Sequence, residues 1–569
     1  MVTRTSRLAA LLLLLATAVV WLDAAAPLLV TEYWPVPPDV WKGTSTFTFP
    51  EASDPGLQKN GDLGIAFSGG GTRSATLTVG QLRGLLSNKW LDRVRYITAV
   101  SGGSWAAAPY TYSSTDPKIL LGELLQPEQL TKAVVEVSPP RASLARSIVD
   151  SKLLAAAAPD IVKIAGRSLL DRQNLAIPDQ ARSLAKKFTA GSSDETYADI
   201  LGRIFITPHV PGGIDKAYTW HEAVRNRIKE LAPSLSVGDF VMAADDRPFL
   251  IVGGSIIYDH PTYDFPRLIP VEMTPIYTGV RQQYGDKLGG IYVSPFAYDV
   301  ASAGAVREHT VQVKGIAGRR PFTLADMIAT SGAAPLLALF RGQPVAAAGR
   351  ATAFFPTFNH FTIRKDEARQ TVEHLLHGDG GFTDNLGVMP LLARRVHNII
   401  VFVNAADPLK DNPAVESLFW PLDRQEDAGG DRSMNYVFDH EHFDEVDRGL
   451  QAAVAARGGA VYCGRNWKVR ANELYNIAAY DGLNICWVNN QPNPTWVGKL
   501  PAETQAMVGS KSFKNFPLFA TFGQNIPYAV RLTPPQVNLL SQLAAWTVTN
   551  EVSRRTMAGS LDPALNLPR

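Results

Sequence analysis

The feature that most limits the fold of this chain is a strand, a glycine-rich turn, a helix and a second strand in direct succession. The apolar run "LGIAF" (63–67) is typical of a short buried strand, and three consecutive glycines, Gly69 to Gly71, follow it. Leucines then recur at nearly helical spacing as far as Leu86, and "VRYITAV" (94–100) is rich in β-branched and aromatic residues. This order predicts a right-handed parallel crossover and therefore an α/β protein.

The three glycines leave the backbone bare, as phosphate loops, dinucleotide loops and oxyanion holes do. A phosphate loop needs a lysine where this chain has Gly70, so that hypothesis lacks its charge partner. The dinucleotide fingerprint fits Gly69, Gly71 and Ser74 better, but its acidic residue belongs at the end of the second strand and Asp92 comes before that strand. These mismatches disfavour a nucleotide partner.

An oxyanion hole requires a nucleophile at the end of a neighbouring strand, and the chain has a candidate there. In "AVSGGS" (99–104) Ser101 lies among small residues at a strand-to-helix turn, as a nucleophile elbow demands. Compared with Gly-x-Ser-x-Gly, Ala99 replaces the first glycine and Gly103 holds the second place. Ser104 is the alternative nucleophile, although it falls inside the expected helix. A serine-rich loop without chemistry is the other interpretation.

The candidate base is Asp379, which lies in the glycine-rich "HGDGGFTDNLG" directly after an apolar strand. Parallel sheets carry functional groups at the carboxyl ends of their strands, so we expect Asp379, Ser101 and the glycine loop to meet at one edge. His374 and His377 precede Asp379, and we interpret them as ordinary strand residues and not as members of a triad.

Together these segments resemble the patatin-like and cytosolic phospholipase A2-type acyl hydrolases. "SGGGTR" resembles the oxyanion loop of that family, "AVSGGSW" its nucleophile elbow, and "DGG" with "NLGVMPLL" its aspartate motif. "TLADMIATSGAAP" and "EMTPIYTG" are similar to stretches between the elbow and the aspartate. The resemblance runs from about Leu63 to Asp407 in the order of the family. It implies a three-layer α/β/α fold with a central, mostly parallel sheet.

The resemblance also implies roles for individual residues. Ser101 would be the nucleophile and Asp379 its general base in a Ser/Asp dyad, without a metal or cofactor. Gly70 and Gly71 would donate backbone amides to the oxyanion. Arg73 would hold negative charge, either beside the oxyanion or on a lipid phosphate, with a structural ion pair as its alternative role.

The implied function is hydrolysis of lipid carboxylic esters at a membrane surface, as in phospholipases A and lysophospholipases. A lipid acyltransferase would use the same dyad, and a catalytically silent lipid-binding protein would share the same fold. A formal net charge of +2 and the absence of basic runs give no case for a nucleic-acid partner.

The N-terminal sequence predicts a signal peptide or a membrane anchor over residues 1–30. Arg4 and Arg7 precede an apolar run over 8–22, and small residues follow at 24–26. An anchor would extend the apolar stretch to Val30. Either alternative places the body of the protein outside the cytoplasm, bound to the membrane or secreted. A buried core helix is the third interpretation.

The remaining organisation follows from composition. We predict a proline-rich connector over 31–60, a catalytic core over 61–410 with a helical insertion at about 117–233, and a C-terminal extension over 411–569 that packs on the core. The two cysteines, Cys463 and Cys486, lack the spacing of zinc ligands, and the sequence leaves open whether they form a disulfide or stay as thiols.

Overall fold

The structure is a computed structural model that describes residues 28–58, 60–151, 196–258, 267–284, 288–334, 336, 355–364, 368–421, 435–519 and 532–568. Most of the predicted N-terminal segment, 1–27, lies outside these residues. Its last three residues, Leu28 to Val30, begin the first strand. Among the described residues no helix combines the length and the apolar character needed to cross a bilayer.

The strands are, in chain order, β1 (Leu28–Pro35), β2 (Leu63–Phe67), β3 (Tyr96–Val100), β4 (Ala217–Thr219), β5 (Phe240–Met242), β6 (Phe249–Tyr258), β7 (Arg267–Met273), β8 (Thr278–Tyr284), β9 (Leu288–Val293), β10 (Ser302–Arg307), β11 (Thr310–Lys314), β12 (Thr357–Phe361), β13 (Val372–Asp379), β14 (Asn398–Val403), β15 (Val461–Val469) and β16 (Tyr480–Asn489). β4 and β5 pair only with each other, and the other strands form one large sheet.

The α-helices are, in chain order, α1 (Pro55–Gln58), α2 (Gly71–Ser87), α3 (Gly102–Tyr112), α4 (Pro117–Leu121), α5 (Lys132–Glu136), α6 (Leu144–Asp150), α7 (Tyr197–Leu201), α8 (Glu222–Leu231), α9 (Leu324–Ser331), α10 (Gly381–Asp384), α11 (Met389–Ala393), α12 (Pro413–Glu416), α13 (Glu441–Ala455), α14 (Pro494–Gly498), α15 (Ala502–Val508), α16 (Pro534–Thr549) and α17 (Glu551–Ser560).

The centre of the sheet is parallel, in the order β16, β14, β2, β3 and β6. β2, β3 and β14 are mostly apolar and buried along their whole length, as is typical of strands in the middle of a covered parallel sheet. This confirms the predicted α/β class. The crossover expected from the sequence is β2, α2 and β3, and β2 and β3 pair in parallel.

Antiparallel strands extend the sheet on both sides of this centre. On one side the order continues from β6 through β7, β8, β9, β1 and β11 to β10, and on the other side β15 pairs with β16. β1 therefore belongs to the sheet, although the sequence places it across the predicted boundary between the N-terminal segment and the connector.

Two glycines of α2 allow its close packing against α16. A methyl group on Gly80 would lie 2.0 Å from the carbonyl oxygen of Ser541, and one on Gly84 would lie 2.8 Å from Cβ of Val548. These glycines are one helical turn apart, so they form a single small-residue face. The C-terminal segment thus contributes both a helix to the core and two strands, β15 and β16, to the central sheet.

The described part of the predicted helical insertion contains α4 to α8, a turn of π-helix at Gly202–Ile206 and the short strand β4. Residues 152–195 of that insertion lie outside the described residues. Cys463 and Cys486 face each other in β15 and β16 and form a disulfide bond. Of the two alternatives that the sequence left open, the structure contains the disulfide.

Candidate active site

The glycine loop follows β2 at the carboxyl edge of the parallel strands. Gly70 and Gly71 have φ angles of 136° and 57°, in the region that residues with a Cβ rarely adopt. A Cβ on Gly70 would also lie 2.6 Å from Nη2 of Arg73 and 3.0 Å from the carbonyl oxygen of Asn404. Gly71 begins α2, so its amide has no acceptor within the helix, and none among the described residues accepts from it.

Ser101 follows β3 on the neighbouring strand, and its backbone has the strained geometry of a nucleophile elbow. Its φ and ψ are 50° and −125°, and it is the N-cap residue of α3. Gly102 rests on the glycine loop so closely that a Cβ there would lie 1.9 Å from the carbonyl oxygen of Gly71. The small residues after Ser101 therefore bring the elbow and the glycine loop together, as expected.

Asp379 meets Ser101 directly. Its Oδ2 accepts a hydrogen bond from Oγ of Ser101 at 2.8 Å, and its Oδ1 accepts one from the amide of Gly381 at 2.6 Å. Both side chains are buried. The structure thus brings together two residues that lie 278 positions apart in the sequence.

The strand that carries Asp379 runs in the opposite direction to the one expected. β3 runs parallel to β6 and ends at Val100, opposite Gly253, whereas β13 runs antiparallel to β6 and ends at Asp379, opposite Gly254. The expectation that Asp379 follows a parallel strand is wrong, but Asp379 and Ser101 do meet at one edge, because β3 and β13 share one side of β6 and meet end to end. Ser101 and Asp379 are adjacent for that reason.

Burial makes Asp379 a stronger base than an ordinary carboxylate. Loss of hydration raises its pKa from 3.8 to about 7, although the hydrogen bonds from Gly381, Ser101 and Ala334 oppose this rise. A carboxylate with a pKa near neutrality accepts a proton readily at physiological pH. The hydroxyl–carboxylate pair can therefore supply a nucleophile, with glycine amides and the N-terminus of α3 nearby to receive negative charge.

Arg73, predicted to hold negative charge, is buried and donates hydrogen bonds to backbone carbonyls. Its Nε donates to Asn404 at 2.8 Å, and its Nη1 donates to Phe519. Burial lowers its pKa to about 10, while the charge of Asp407 acts in the opposite direction. These bonds fix the chain after β14 beside the glycine loop. A role of Arg73 toward an oxyanion or a phosphate stays a prediction.

The alternative candidates lie in other surroundings. Ser104 is in α3, and its Oγ donates to the carbonyl oxygen of Ser101 at 2.7 Å. His377 is buried between Tyr298 and the carbonyl oxygen of Leu375, and burial lowers its pKa to about 3. His374 is exposed and bonds to the side chain of Asn359. Both histidines occupy β13, and their described hydrogen bonds do not involve Ser101 or Asp379.

Three residues that lie at the site were not identified from the sequence. Ser331 contacts the elbow through its hydroxyl. Asn404 donates its backbone amide to Oγ of Ser68 at 2.7 Å and its side-chain amide to Oγ of Ser74. Asn385 accepts from the amide of Gly69 at 2.8 Å through its carbonyl oxygen. Two of them could have been identified from their positions in the sequence, because Asn404 directly follows an apolar strand and Asn385 lies in the aspartate motif.

No cluster of three or more histidine, cysteine, aspartate or glutamate side chains suited to a metal ion occurs among the residues that the structure describes. Among the described residues, the side chains that hydrogen-bond to Ser101 include the hydroxyls of Ser104 and Ser331 and the carboxylate of Asp379. This donor set fits acyl transfer through the side chains of the chain itself.

Comparison with known proteins finds structural similarity at low sequence identity. No protein-family model matches this chain, and no curated protein matches it. Among solved structures, human GIVD cytosolic phospholipase A2 is similar with a TM-score of 0.43 and 12% sequence identity, covering 90% of this chain and 61% of that chain. The same protein in complex with methyl gamma-linolenyl fluorophosphonate inhibitor and terbium chloride gives a TM-score of 0.36 and 13% identity, covering 94% and 66%. This chain thus spans less than two thirds of those chains.

Proposed function

We propose that this protein is a serine acyl hydrolase that cleaves carboxylic esters of lipids through a Ser101/Asp379 dyad. The observation that carries the proposal is the 2.8 Å hydrogen bond from Oγ of Ser101 to Oδ2 of Asp379, made by a serine whose backbone is held at a φ of 50°. A buried hydroxyl paired with a carboxylate, beside a glycine-rich loop at a helix N-terminus, is the arrangement that acyl transfer requires.

In the first step Asp379 takes the proton of Ser101 as Oγ attacks the carbonyl carbon of the ester. The new C–O bond converts the carbonyl oxygen to an oxyanion, which the amides of Gly70 and Gly71 would stabilise; losing one such donor costs on the order of 3 kcal/mol in comparable sites. Collapse breaks the ester bond, and the departing alcohol takes the proton back from Asp379. The acyl group remains on Ser101.

In the second step water attacks the acyl-serine, and Asp379 again accepts the proton. The acid leaves and the proton returns to Oγ of Ser101, so the enzyme ends as it began. The lipid nature of the substrate rests on the family resemblance of the motifs, and an ester of a phospholipid or lysophospholipid is the substrate class that we propose.

The test is covalent labelling with a fluorophosphonate probe, which traps an activated serine. We expect the wild type to be labelled on the peptide that contains Ser101, and we expect Ser101→Ala to abolish labelling. Asp379→Asn should slow labelling at least a hundredfold, because an amide cannot accept the proton. Ser104→Ala is the matched control and should keep the label.

Two results would contradict the proposal. A folded wild type that resists the probe would leave only the silent lipid-binding alternative, and a label on Ser104 would place the nucleophile elsewhere. If labelling occurs as expected, acid release from a panel of phospholipids, lysophospholipids and neutral esters identifies the substrate. Acyl transfer to an added alcohol in the same assay would instead identify an acyltransferase.

We also propose that the protein works in an oxidising compartment, outside the cytoplasm. The disulfide between Cys463 and Cys486 supports this, since such bonds persist mainly in oxidising surroundings. Alkylation of cells before lysis, followed by mass analysis of the cysteine peptides, tests it. Free thiols at both positions in freshly trapped material would contradict the proposal.

A further inference from the structure

Two buried serine hydroxyls contact the backbone of the dyad and have no part in the proposed chemistry. Ser331, the last residue of α9, accepts a hydrogen bond from the amide of Ser101 at 2.8 Å. The same Oγ donates to the carbonyl oxygen of Gly253 on β6 at 2.6 Å. One hydroxyl therefore joins the nucleophile elbow to the strand beside it.

Ser255 forms a corresponding contact with the backbone of Asp379, the proposed base. Its Oγ donates to the carbonyl oxygen of Asp379 at 2.9 Å, and it lies on β6 two residues beyond Gly253. A fourth bond, from the amide of Gly380 to the carbonyl oxygen of Ser331 at 3.2 Å, links the elbow to the chain that carries Asp379. Two residues of β6, Gly253 and Ser255, thus anchor both members of the dyad.

The elbow needs such an anchor because its backbone conformation is unfavourable for a residue with a side chain. A positive φ persists at a serine only where the surroundings enforce it. The amide of Ser101 is committed to Ser331, so this amide does not serve as an oxyanion donor, and Oγ of Ser331 is an acceptor placed to hold the turn in its strained form. Replacing Ser331 by alanine would leave the Ser101 amide and the Gly253 carbonyl without that hydroxyl.

We propose that Ser331 and Ser255 are positioning residues that set the separation between Oγ of Ser101 and the carboxylate of Asp379. The inference rests on the proposed function. It predicts that loss of either hydroxyl slows the chemical step while leaving the binding of the acyl chain unchanged, because neither hydroxyl is proposed to touch substrate.

The test measures the rate of fluorophosphonate labelling at increasing probe concentration. This separates the maximal rate from the probe concentration that gives half of it. For Ser331→Ala we expect the maximal rate to fall at least tenfold with the half-saturating concentration unchanged, and for Ser255→Ala we expect a smaller fall of the same kind.

Two control variants separate positioning from general damage. Ser553→Ala removes a buried hydroxyl that likewise accepts from a backbone amide, that of Gly459 at 3.0 Å, but in α17 beside the far strand β15. Thr330→Val removes the hydroxyl next to Ser331, which is buried without a hydrogen-bond partner in the described structure. Both controls should label at the wild-type rate, and thermal melts should show that Ser553→Ala loses about as much stability as Ser331→Ala.

The outcomes distinguish the two proposals. A wild type that is not labelled overturns the proposed function, whereas a labelled wild type with an unchanged maximal rate in Ser331→Ala overturns the positioning role alone. A maximal labelling rate in Ser331→Ala that falls no more than that in Ser553→Ala, or a change only in the half-saturating probe concentration, also overturns it. If Ser331→Ala does not fold, Ser331→Cys tests the same bridge, since a thiol is a weaker donor and acceptor. Its maximal rate should fall at least threefold, and an unchanged rate would contradict the inference.

Discussion

At the scale of single residues, the environment of Asp379 determines the pH range in which the proposed dyad can react. Burial raises the pKa of this carboxyl to about 7, and only its ionised form can accept the proton of Ser101. We therefore expect the rate of fluorophosphonate labelling to rise with pH to a plateau, with a midpoint near pH 7 and a tenfold fall per pH unit well below it. Labelling rates between pH 5 and pH 9 check this.

Spontaneous hydrolysis of the probe, measured in parallel with Ser101→Ala present, provides the control for that profile. A midpoint near 4, where exposed aspartates titrate, would show that Asp379 is not the group that limits labelling.

Because Asp379 is buried, its ionisation also lowers the free energy of unfolding. Its folded pKa of about 7 lies above its ordinary value of 3.8, so between these pH values the folded protein binds more protons than the unfolded chain. The free energy of unfolding therefore falls as the pH rises from about 4 to 7. A pKa difference of about three corresponds to an upper bound of about 4 kcal/mol.

Asp379→Asn should remove that cost, because an amide stays neutral and can still accept from Gly381. We expect its melting temperature to exceed that of the wild type at pH 8, and the gain to shrink steadily toward pH 4. Calorimetry at several pH values tests this. A gain in melting temperature that does not depend on pH would contradict the argument that ionisation of Asp379 destabilises the folded protein.

Asp384 is a second buried carboxyl with a raised pKa, about 6, but its role differs. Its Oδ1 accepts from the amides of Leu386 and Gly387, and its Oδ2 accepts from Met389 at 2.8 Å. An asparagine offers one acceptor oxygen in place of two, so we expect Asp384→Asn to destabilise the protein by about 1–3 kcal/mol. Urea unfolding at pH 8 should show opposite signs for Asp384→Asn and Asp379→Asn.

Short motifs were enough to predict that Ser101, Asp379 and the glycine loop lie close together, because strand ends, small residues and turns leave local signals. Ser331 left no such signal. Its Oγ acts across 230 positions of sequence, and the sequence does not show which carbonyl or amide a serine will face. Arg73 was visible as a charged residue in the loop, but its bonds to backbone carbonyls depend on the chain beyond β14.

At the scale of elements, the contact between the elbow and the glycine loop depends on Gly102. A methyl group there would lie 1.9 Å from the carbonyl oxygen of Gly71, which is backbone and cannot yield by rotation. We expect Gly102→Ala to cost at least about 1–3 kcal/mol and to slow labelling more than tenfold. Urea unfolding and labelling rates test this.

Gly559→Ala is the matched control for that substitution. Gly559 lies inside α17 and a methyl group there would have nothing within 4 Å, so alanine should raise the free energy of unfolding by about 0.5–1 kcal/mol. If Gly102→Ala and Gly559→Ala changed the free energy of unfolding and the labelling rate equally, the close approach of α3 to the glycine loop would contribute nothing to either quantity.

The sequence predicted the existence of the site-bearing strands better than their directions. β2 has the bounds that the sequence predicted, and β3 begins two residues later than expected. Apolar runs of this kind identify buried strands, but they do not tell whether a neighbour runs parallel or antiparallel. The direction of β13 follows instead from its pairing with both β12 and β6, which only the assembled sheet defines.

At the scale of the whole molecule, the disulfide closes a segment of the C-terminal region. Cys463 and Cys486 are 23 residues apart in sequence, and a loop of that length should contribute about 3 kcal/mol through the unfolded chain. We expect reduction, or replacement of both cysteines by alanine, to lower the melting temperature. The labelling rate at 25 °C should stay unchanged, because β15 is separated from β3 by β16, β14 and β2.

Thermal melts with and without a reductant measure this effect, and the double alanine variant, which should not respond to the reductant, is the control. Equal melting temperatures in both conditions would show that the bridge is not formed or does not stabilise the fold.

The extent of the sheet could not be predicted from the sequence. β1 pairs with β9 and β11, more than 250 positions away, and β16 joins β14 from beyond the predicted end of the catalytic core. Composition marks boundaries where the character of the chain changes, but a strand from a distant segment leaves no local trace of its partner. The domain boundaries at 60 and 410 stay predictions, and the sheet crosses both.

β3 and β13 meet end to end along β6. The backbone pairing of both strands with β6 therefore fixes the position of Asp379 relative to Ser101. Deleting one residue from β13 between its pairing with β12 and Asp379 would draw the carboxyl back by about 3.3 Å and turn it to the opposite face of the sheet. Surface loops of proteins generally tolerate insertions and deletions better than paired strands do. Within the paired residues of β13, we therefore expect any insertion or deletion to abolish the proposed activity.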